Sequence, residues 1–169
     1  MTKQLYLLRH AEAESWNPLG NDFSRPLSSN GAHHAQLVSN WAVETLSAPD
    51  TILCSPAKRT RQTLAPILSL WPRLLANTDY VDSMYGANLN MLKTLAEDAF
   101  SYSERVLMIG HNPGLAQMLG DILSESQATG INGMGAGNLA VIEFPDGFKQ
   151  HTRAGTLLHL VRYNDFSID

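Results

Sequence analysis

The chain has 169 residues, of which 44% are hydrophobic and 17% are charged, and its formal net charge is −4. This length suits a single globular domain over residues 1–169 with one hydrophobic core. The acidic balance excludes a global basic surface for nucleic acid, so any anion site must be a local cluster of cationic side chains. Cys54 is the only cysteine, which excludes an internal disulfide and a cysteine-paired zinc site.

The amino-terminal residues predict neither a secretory signal nor a membrane span. One lysine precedes an apolar run of only four residues, and a membrane-spanning helix needs about 20. We therefore expect a cytoplasmic protein that does not bind a membrane.

The first candidate strand ends in an arginine and a histidine. The apolar run over residues 5–8 is typical of a strand buried on both faces, and Arg9 and His10 follow it directly. In open α/β sheets, ligands bind at the carboxyl ends of the strands. Taken alone, the pair fits a polar edge of the core equally well, so other residues must decide its role.

A loop of about fifteen residues follows this pair and contains Arg25, and loops of that length in compact domains are often functional. Arg25 is either a surface residue or a second cation that the loop folds back to the site. Apolar residues at three-four spacing then predict a helix from Ser29. His33 and His34 point about 100° apart in its first turns, so they cannot chelate one ion and are expected to be surface or partly buried residues.

A second short strand is predicted over residues 51–54, with a helix directly behind it. Ser55 suits the N-cap of this helix and Pro56 its first position. Free backbone N–H groups and the positive end of the helix dipole favour an anion there, and Arg59 lies in the first turn. Pro66 removes one helical hydrogen bond and is expected to kink the helix.

A third strand is predicted over residues 74–81, followed by an amphipathic helix. The strongest later strand covers residues 105–110 and ends at His111. Asn112 as N-cap and Pro113 as first residue predict that another helix begins there.

The carboxyl-terminal third begins with a segment rich in Gly and Ser, over residues 124–138, which is expected to be a mobile loop near one edge. Residues 138–144 and 156–163 predict two final strands that suit a hairpin. His159 alternates with apolar neighbours in the second of them and is interpreted as a core or edge residue.

The alternation of strands and helices predicts a three-layer α/β/α fold with a mainly parallel central sheet. Successive strand ends then share one rim, which brings together Arg9, His10, Arg59 and His111. Two guanidiniums and two imidazoles suit a phosphate dianion, because each arginine–phosphate hydrogen bond contributes about 1.5–3 kcal/mol. A neutral imidazole can also attack phosphorus and form a covalent phosphohistidine, while the arginines stabilise the transition state.

These motifs resemble the phosphoglycerate-mutase-like histidine phosphatase superfamily. Its Arg-His-Gly signature stands here as Arg-His-Ala over residues 9–11, and further matches cover residues 55–63 and 110–113. The resemblance implies a metal-independent phosphatase without a cofactor, in which His10 is the nucleophile. It assigns phosphate or substrate binding to Arg9, Arg25, Arg59, His111 and Asn112.

The small size and the segments at residues 22–27 and 84–87 resemble the SixA-type phosphohistidine phosphatases, which lack inserted lid segments. The resemblance implies that the partner is a phosphohistidine-containing protein, for example a histidine phosphotransfer domain, or a small phosphate ester. The glutamate that serves as general acid in the mutases has no clear equivalent, since Asp82 lies near its place but is shorter and suits a helix cap. A missing acid favours a leaving group that needs little help, such as the imidazole of phosphohistidine.

Three alternatives stay open at this point. The first is a small-molecule phosphomonoesterase of the same superfamily. The second is a non-catalytic module that binds a phosphorylated protein, although such a binder has no need of a second histidine. The third is a cysteine phosphatase that uses Cys54, but the arginine that should stand six residues later is replaced by Thr60.

Overall fold

The computed structural model of the chain describes residues 1–166. One six-stranded sheet is built from β1 (Lys3–Arg9), β2 (Thr51–Cys54), β3 (Thr78–Tyr80), β4 (Arg105–Gly110), β5 (Leu139–Phe144) and β6 (Thr156–Val161). The strand order is β3-β2-β4-β1-β5-β6, in which β1 to β4 run parallel and β5 and β6 are antiparallel additions at one side. The mainly parallel sheet and the terminal hairpin are therefore confirmed.

The helices are α1 (Ser29–Thr45), α2 (Lys58–Leu70), α3 (Leu89–Phe100), α4 (Gly114–Ile122) and the short α5 (Glu125–Ala128). Single 3₁₀ turns or short 3₁₀ helices lie at Asp22–Ser24, Pro72–Asn77, Asp82–Met84 and Tyr163–Phe166. Within residues 1–166, none of these helices is both long and apolar enough to cross a membrane.

The sheet has a hydrophobic cluster on each face, which confirms the three-layer fold. Leu5 and Leu7 of β1 pack with α3 and α4 on one face. Tyr6 and Leu8 pack with α1 and α2 on the other. Because consecutive side chains of a strand point to opposite faces, a strand buried on both must be apolar throughout. This explains the continuous apolar run that precedes Arg9.

The parallel register places three strand ends on one rim of the sheet. Arg9 pairs with Gly110 across β1 and β4, and Cys54 of β2 pairs with Ile109. The residues that follow these strands therefore lie side by side, although they are far apart in the sequence.

Two sequence predictions are corrected by the fold. Over residues 74–81 only Thr78–Tyr80 is a strand, since a 3₁₀ helix that begins at Pro72 takes up the preceding residues and buries Leu74. The segment over residues 124–138 is not an irregular loop at one edge of the sheet. They contain α5 and the buried Met134, and they run across the rim beside β1.

The N-caps predicted for two helices are also wrong. α2 begins at Lys58 and α4 at Gly114, so both helices begin after the predicted prolines. The side chains of Ser55 and Asn112 bond to His111 and to a backbone carbonyl instead of capping these helices. α2 continues through Pro66 to Leu70.

The adjacent histidines of α1 differ in burial. His33 is exposed, whereas His34 is buried and not at the surface, because its ring packs against Tyr163 and beside Gly137. His159 lies exposed on the edge strand β6, as one of its two interpretations expected.

Candidate active site

His10 stands at the carboxyl end of β1 with a defined ring orientation. Its Nδ1 atom lies 2.7 Å from the carbonyl oxygen of Ala11. A carbonyl only accepts hydrogen bonds, so Nδ1 carries the proton and the lone pair is on Nε2. Burial, together with the positive charges of Arg59 and Arg9, lowers the pKa of His10 to about 4. His10 is therefore neutral at pH 7, with Nε2 free to act as a nucleophile.

Two arginines flank His10, and each has a buried nitrogen without a partner. Arg9 donates from one terminal nitrogen to the carbonyl of Met134, at 3.0 Å. Arg59, on the first turn of α2, donates to the backbone carbonyl of Asp22 at 2.8 Å and to its carboxylate at 3.1 Å. The Nε atoms of both arginines are buried without a hydrogen-bond acceptor among the described residues. Because buried donors are normally paired, these two indicate an absent acceptor.

His111 completes the cluster from the end of β4. Its ring centre lies 5.3 Å from that of His10, and its Nε2 is 2.7 Å from the hydroxyl of Ser55. Burial lowers the pKa of His111 to about 3, and Arg59 contributes to this shift. The neutral ring therefore carries one N–H. Its Nδ1 is buried without a partner among the described residues.

Asp22 links the loop after β1 to the cationic cluster. Its carboxylate accepts hydrogen bonds from Arg25 at 2.9 Å, from Tyr85 at 2.7 Å and from Arg59. The Tyr85 hydroxyl is the main reason that the pKa of Asp22 falls to about 2, with the arginines adding to it. Asp22 is therefore an ionised anchor for Arg59 at neutral pH.

Arg25 faces this anchor more than the pocket. Its side chain bonds to Asp22 and to the carbonyl of Glu14, at 3.1 Å, and it is partly exposed. Its charge still contributes to the lowered pKa of His10. The loop therefore folds back towards the site, as one of the two interpretations of Arg25 expected.

The segment after α5 holds the strand ends in place. The Met134 carbonyl accepts hydrogen bonds from Arg9 and from Asn112, the second at 2.8 Å. The N–H of Gly137 lies 2.9 Å from the carbonyl oxygen of His10 and 3.1 Å from that of Arg9. Gly137 has a φ of +72°, and a Cβ at this position would lie 2.4 Å from the His34 ring. Only glycine fits this close approach.

Two other candidates lie apart from this cluster. Asp82 is exposed at the start of a 3₁₀ turn, and its carboxylate makes no hydrogen bond or ion pair within residues 1–166. Cys54 is fully buried, and burial raises the pKa of its thiol to about 12. A thiol of this kind is not ionised at neutral pH, which contradicts the cysteine-nucleophile alternative.

The structure brings Arg9, His10, Arg59 and His111 close together, as the sequence predicts, but the sequence misses four of their supports. Ser55 looked like a helix cap, and the segments around Asp22 and Tyr85 looked like family motifs without an assigned contact. The fourth support is the backbone carbonyl of Met134, and a backbone acceptor leaves no sequence signal. Within residues 1–166, no group of three or more His, Cys, Asp or Glu is placed to hold a metal ion.

Comparison with known proteins shows which family the chain resembles. A model of the histidine phosphatase superfamily (branch 1) matches residues 5–80. A putative phosphohistidine phosphatase SixA from Agrobacterium tumefaciens is 26% identical in sequence and superposes with a TM-score of 0.83, covering 95% of this chain and 97% of the other. The amino-terminal part of the chain thus matches the histidine phosphatase superfamily, and the fold as a whole resembles that of a SixA-type protein.

Further relatives agree with this assignment. A putative phosphohistidine phosphatase SixA from Nakamurella multipartitia is 25% identical, with a TM-score of 0.82 and 96% of each chain covered. An uncharacterized protein of Mycobacterium tuberculosis is 33% identical over 109 residues, which is 63% of this chain and 63% of the relative. The chain thus spans less than two thirds of that curated relative. Among histidine phosphatases, the resemblance to SixA-type proteins is confirmed in the fold.

Proposed function

We propose that this protein is a phosphatase that holds the phosphoryl group on Nε2 of His10 between two half-reactions. One observation carries the proposal: three buried side-chain nitrogens without partners belong to the residues that surround a histidine whose Nδ1 proton is already used. The nitrogens are Nε of Arg9, Nε of Arg59 and Nδ1 of His111. A phosphoryl group has enough acceptor oxygens for all three, and charge-assisted bonds of this type are strong.

The hydroxyl of Ser55 determines which ring nitrogen of His111 carries the proton. The Ser55 hydroxyl needs an acceptor for its proton, and the hydrogen bonds of residues 1–166 offer it only Nε2 of His111. If the hydroxyl donates to Nε2, the single proton of the neutral ring stands on Nδ1. Nδ1–H then donates to a phosphoryl oxygen, and its lack of a protein partner is explained.

The chemistry divides into two displacements. In the first, Nε2 of His10 attacks phosphorus, and the bond from phosphorus to the substrate breaks. The leaving atom keeps the electron pair and takes a proton from solvent. In the second, water attacks phosphorus and releases its proton to solvent, the Nε2–P bond breaks, and inorganic phosphate leaves. The phosphorylated imidazole is cationic, and the Ala11 carbonyl stabilises it through Nδ1–H.

The proposed substrate is a protein that carries phosphohistidine, such as a histidine phosphotransfer domain. Two candidate acids favour this class, because neither suits the role: Asp22 is ionised at neutral pH, and Asp82 is exposed and makes no hydrogen bond to the cluster. An imidazole leaves without the strong acid assistance that an alkoxide needs. A cytoplasmic location belongs to the same proposal, and Arg25 and Asn112 remain proposed accessory ligands.

A substrate panel tests the proposal. Turnover is measured with histidine-phosphorylated protein, phosphoserine and p-nitrophenyl phosphate, for the wild type and for His10→Ala and Cys54→Ser. We expect phosphohistidine to be hydrolysed most efficiently, His10→Ala to be inactive and Cys54→Ser to keep its activity. Faster turnover of the small esters would instead support a phosphomonoesterase, and binding without turnover of any substrate would contradict the enzymatic function.

A further inference from the structure

A groove on the outer side of α2 lies next to the candidate active site. Its volume is about 660 Å³. Its lining includes Lys58 and Arg61 of α2 together with Phe23, Pro56 and Tyr80. The two cations and both aromatic residues are exposed to solvent, and the Arg61 guanidinium lies over the Tyr80 ring at 5.4 Å.

The groove is locally positive in a protein whose net charge is negative. None of its lining residues is acidic. Neither Lys58 nor Arg61 makes a hydrogen bond or an ion pair through its side chain with any residue in the range 1–166. Every other arginine close to the site, by contrast, is bonded to a carbonyl or a carboxylate. The positive charge of the groove is therefore available to an external anion.

Aromatic contacts connect the groove to the cationic cluster around His10. Phe23 lines the groove and makes an edge contact with Tyr85, with ring centres 5.2 Å apart. Tyr85 in turn contacts the ring of His111, at 5.5 Å. Two ring contacts thus separate the groove from the site of chemistry. An extended chain advances about 3.3 Å per residue, so a segment a few residues from the phosphorylated one can reach the groove.

We propose that this groove binds a segment of the phosphoprotein substrate that carries aspartate or glutamate near the phosphorylated histidine. The inference rests on the proposed function for the identity of the phosphorylated residue. The carboxylates pair with Lys58 and Arg61, while the apolar part of the segment packs on Phe23 and Tyr80. The groove then selects among phosphoproteins, whereas the pocket around His10 recognises only the phosphoryl group.

Binding and turnover of two matched peptides test this inference. Both contain one phosphohistidine, and they differ only in glutamate or glutamine at the flanking positions. Binding is measured by fluorescence anisotropy with the His10→Ala protein, so that it does not depend on turnover. We expect the glutamate peptide to bind about 3- to 20-fold more tightly, as two exposed ion pairs allow. The preference should shrink as salt is raised, because screening shortens the range of these charges.

Substitution of the groove cations gives the decisive comparison. Lys58→Ala with Arg61→Ala should reduce the peptide preference to about twofold or less. The matched control, Arg73→Ala with Lys149→Ala, removes the same charge from exposed positions outside the groove and should keep the preference. Equal binding of the two peptides to the unsubstituted groove, or a preference that survives its neutralisation, overturns the inference. A peptide preference in a protein that fails to hydrolyse any substrate would overturn the proposed function and leave the groove assignment standing.

Discussion

Ser55→Ala tests whether the hydroxyl of Ser55 sets the proton position on His111. The serine is fully buried, and its hydroxyl lies 2.7 Å from Nε2 of His111. The substitution removes this hydrogen bond, and a long one of 3.5 Å from the Ala57 N–H, without changing any charge. The backbone carbonyl of Ser55 still accepts from Thr60, at 2.7 Å, so the start of α2 keeps its local structure.

The expected loss follows from the energy of one hydrogen bond. A neutral hydrogen bond contributes about 0.5–1.5 kcal/mol, and 1.4 kcal/mol corresponds to a factor of ten. Without Ser55, His111 populates the tautomer that lacks a proton on Nδ1, so kcat/KM should fall about 3- to 10-fold. Removing His111 altogether should cost about 10²- to 10³-fold, as the loss of a transition-state donor commonly does.

A double-mutant cycle on kcat/KM separates this mechanism from general damage to the fold. In the His111→Ala background, Ser55→Ala should change kcat/KM by about twofold or less, since there is no imidazole left to orient. Ser39→Ala, which removes a buried hydroxyl from α1, provides the matched control and should leave kcat/KM unchanged. A full Ser55→Ala loss in the absence of His111 would refute the reasoning.

Three further predictions follow from other contacts. Asp22→Ala should lower kcat/KM for p-nitrophenyl phosphate about 3- to 10-fold, because the arginines lose a shared anchor; a rise would mean that the carboxylate competes with phosphate. Gly137→Ala should lower the free energy of unfolding by about 2–4 kcal/mol through its positive φ and its clash with His34, whereas Gly133→Ala, at a similar φ with open space around it, should cost about 1 kcal/mol. In an ¹⁵N NMR titration of the free protein, His10 should stay neutral as the pH falls below 6.5 and become protonated near pH 4; a midpoint near 6.5 would contradict its burial among cations.

The lowered pKa of His10 also fixes the sign of its effect on stability. In the unfolded chain the ring is protonated below its ordinary pKa of 6.5, while the folded protein keeps it neutral to about pH 4. Between these values the unfolded state binds more protons, so the contribution of His10 to stability decreases as the pH falls through this window.

The clustering of the proposed catalytic residues could be predicted from the sequence because their signals are local. A buried strand leaves an uninterrupted apolar run, and the polar residue after it marks the rim of the sheet. Arg9, His10 and His111 each follow such a run. Parallel connections then bring these positions together without any knowledge of side-chain contacts.

The supporting contacts could not be predicted because they are long-range and compete with local rules. Ser55 is followed by proline, which is the pattern of a helix start, but its hydroxyl bonds to His111, 56 positions away. Asn112 is similar, since its amide donates to the backbone of Met134. Over residues 74–81 the apolar residues that suggested a strand are used by a 3₁₀ helix, in which Leu74 reaches the core.

The most direct test of the proposed mechanism is to identify the residue and the atom that carry the phosphoryl group during turnover. Protein is mixed with ³²P-labelled substrate, quenched in alkaline denaturant within milliseconds, and digested so that the labelled residue and atom can be identified. We predict an acid-labile, alkali-stable label on Nε2 of His10, which is absent from His10→Ala and retained in Cys54→Ser. A label on any other residue, or normal turnover by His10→Ala, would contradict the central claim.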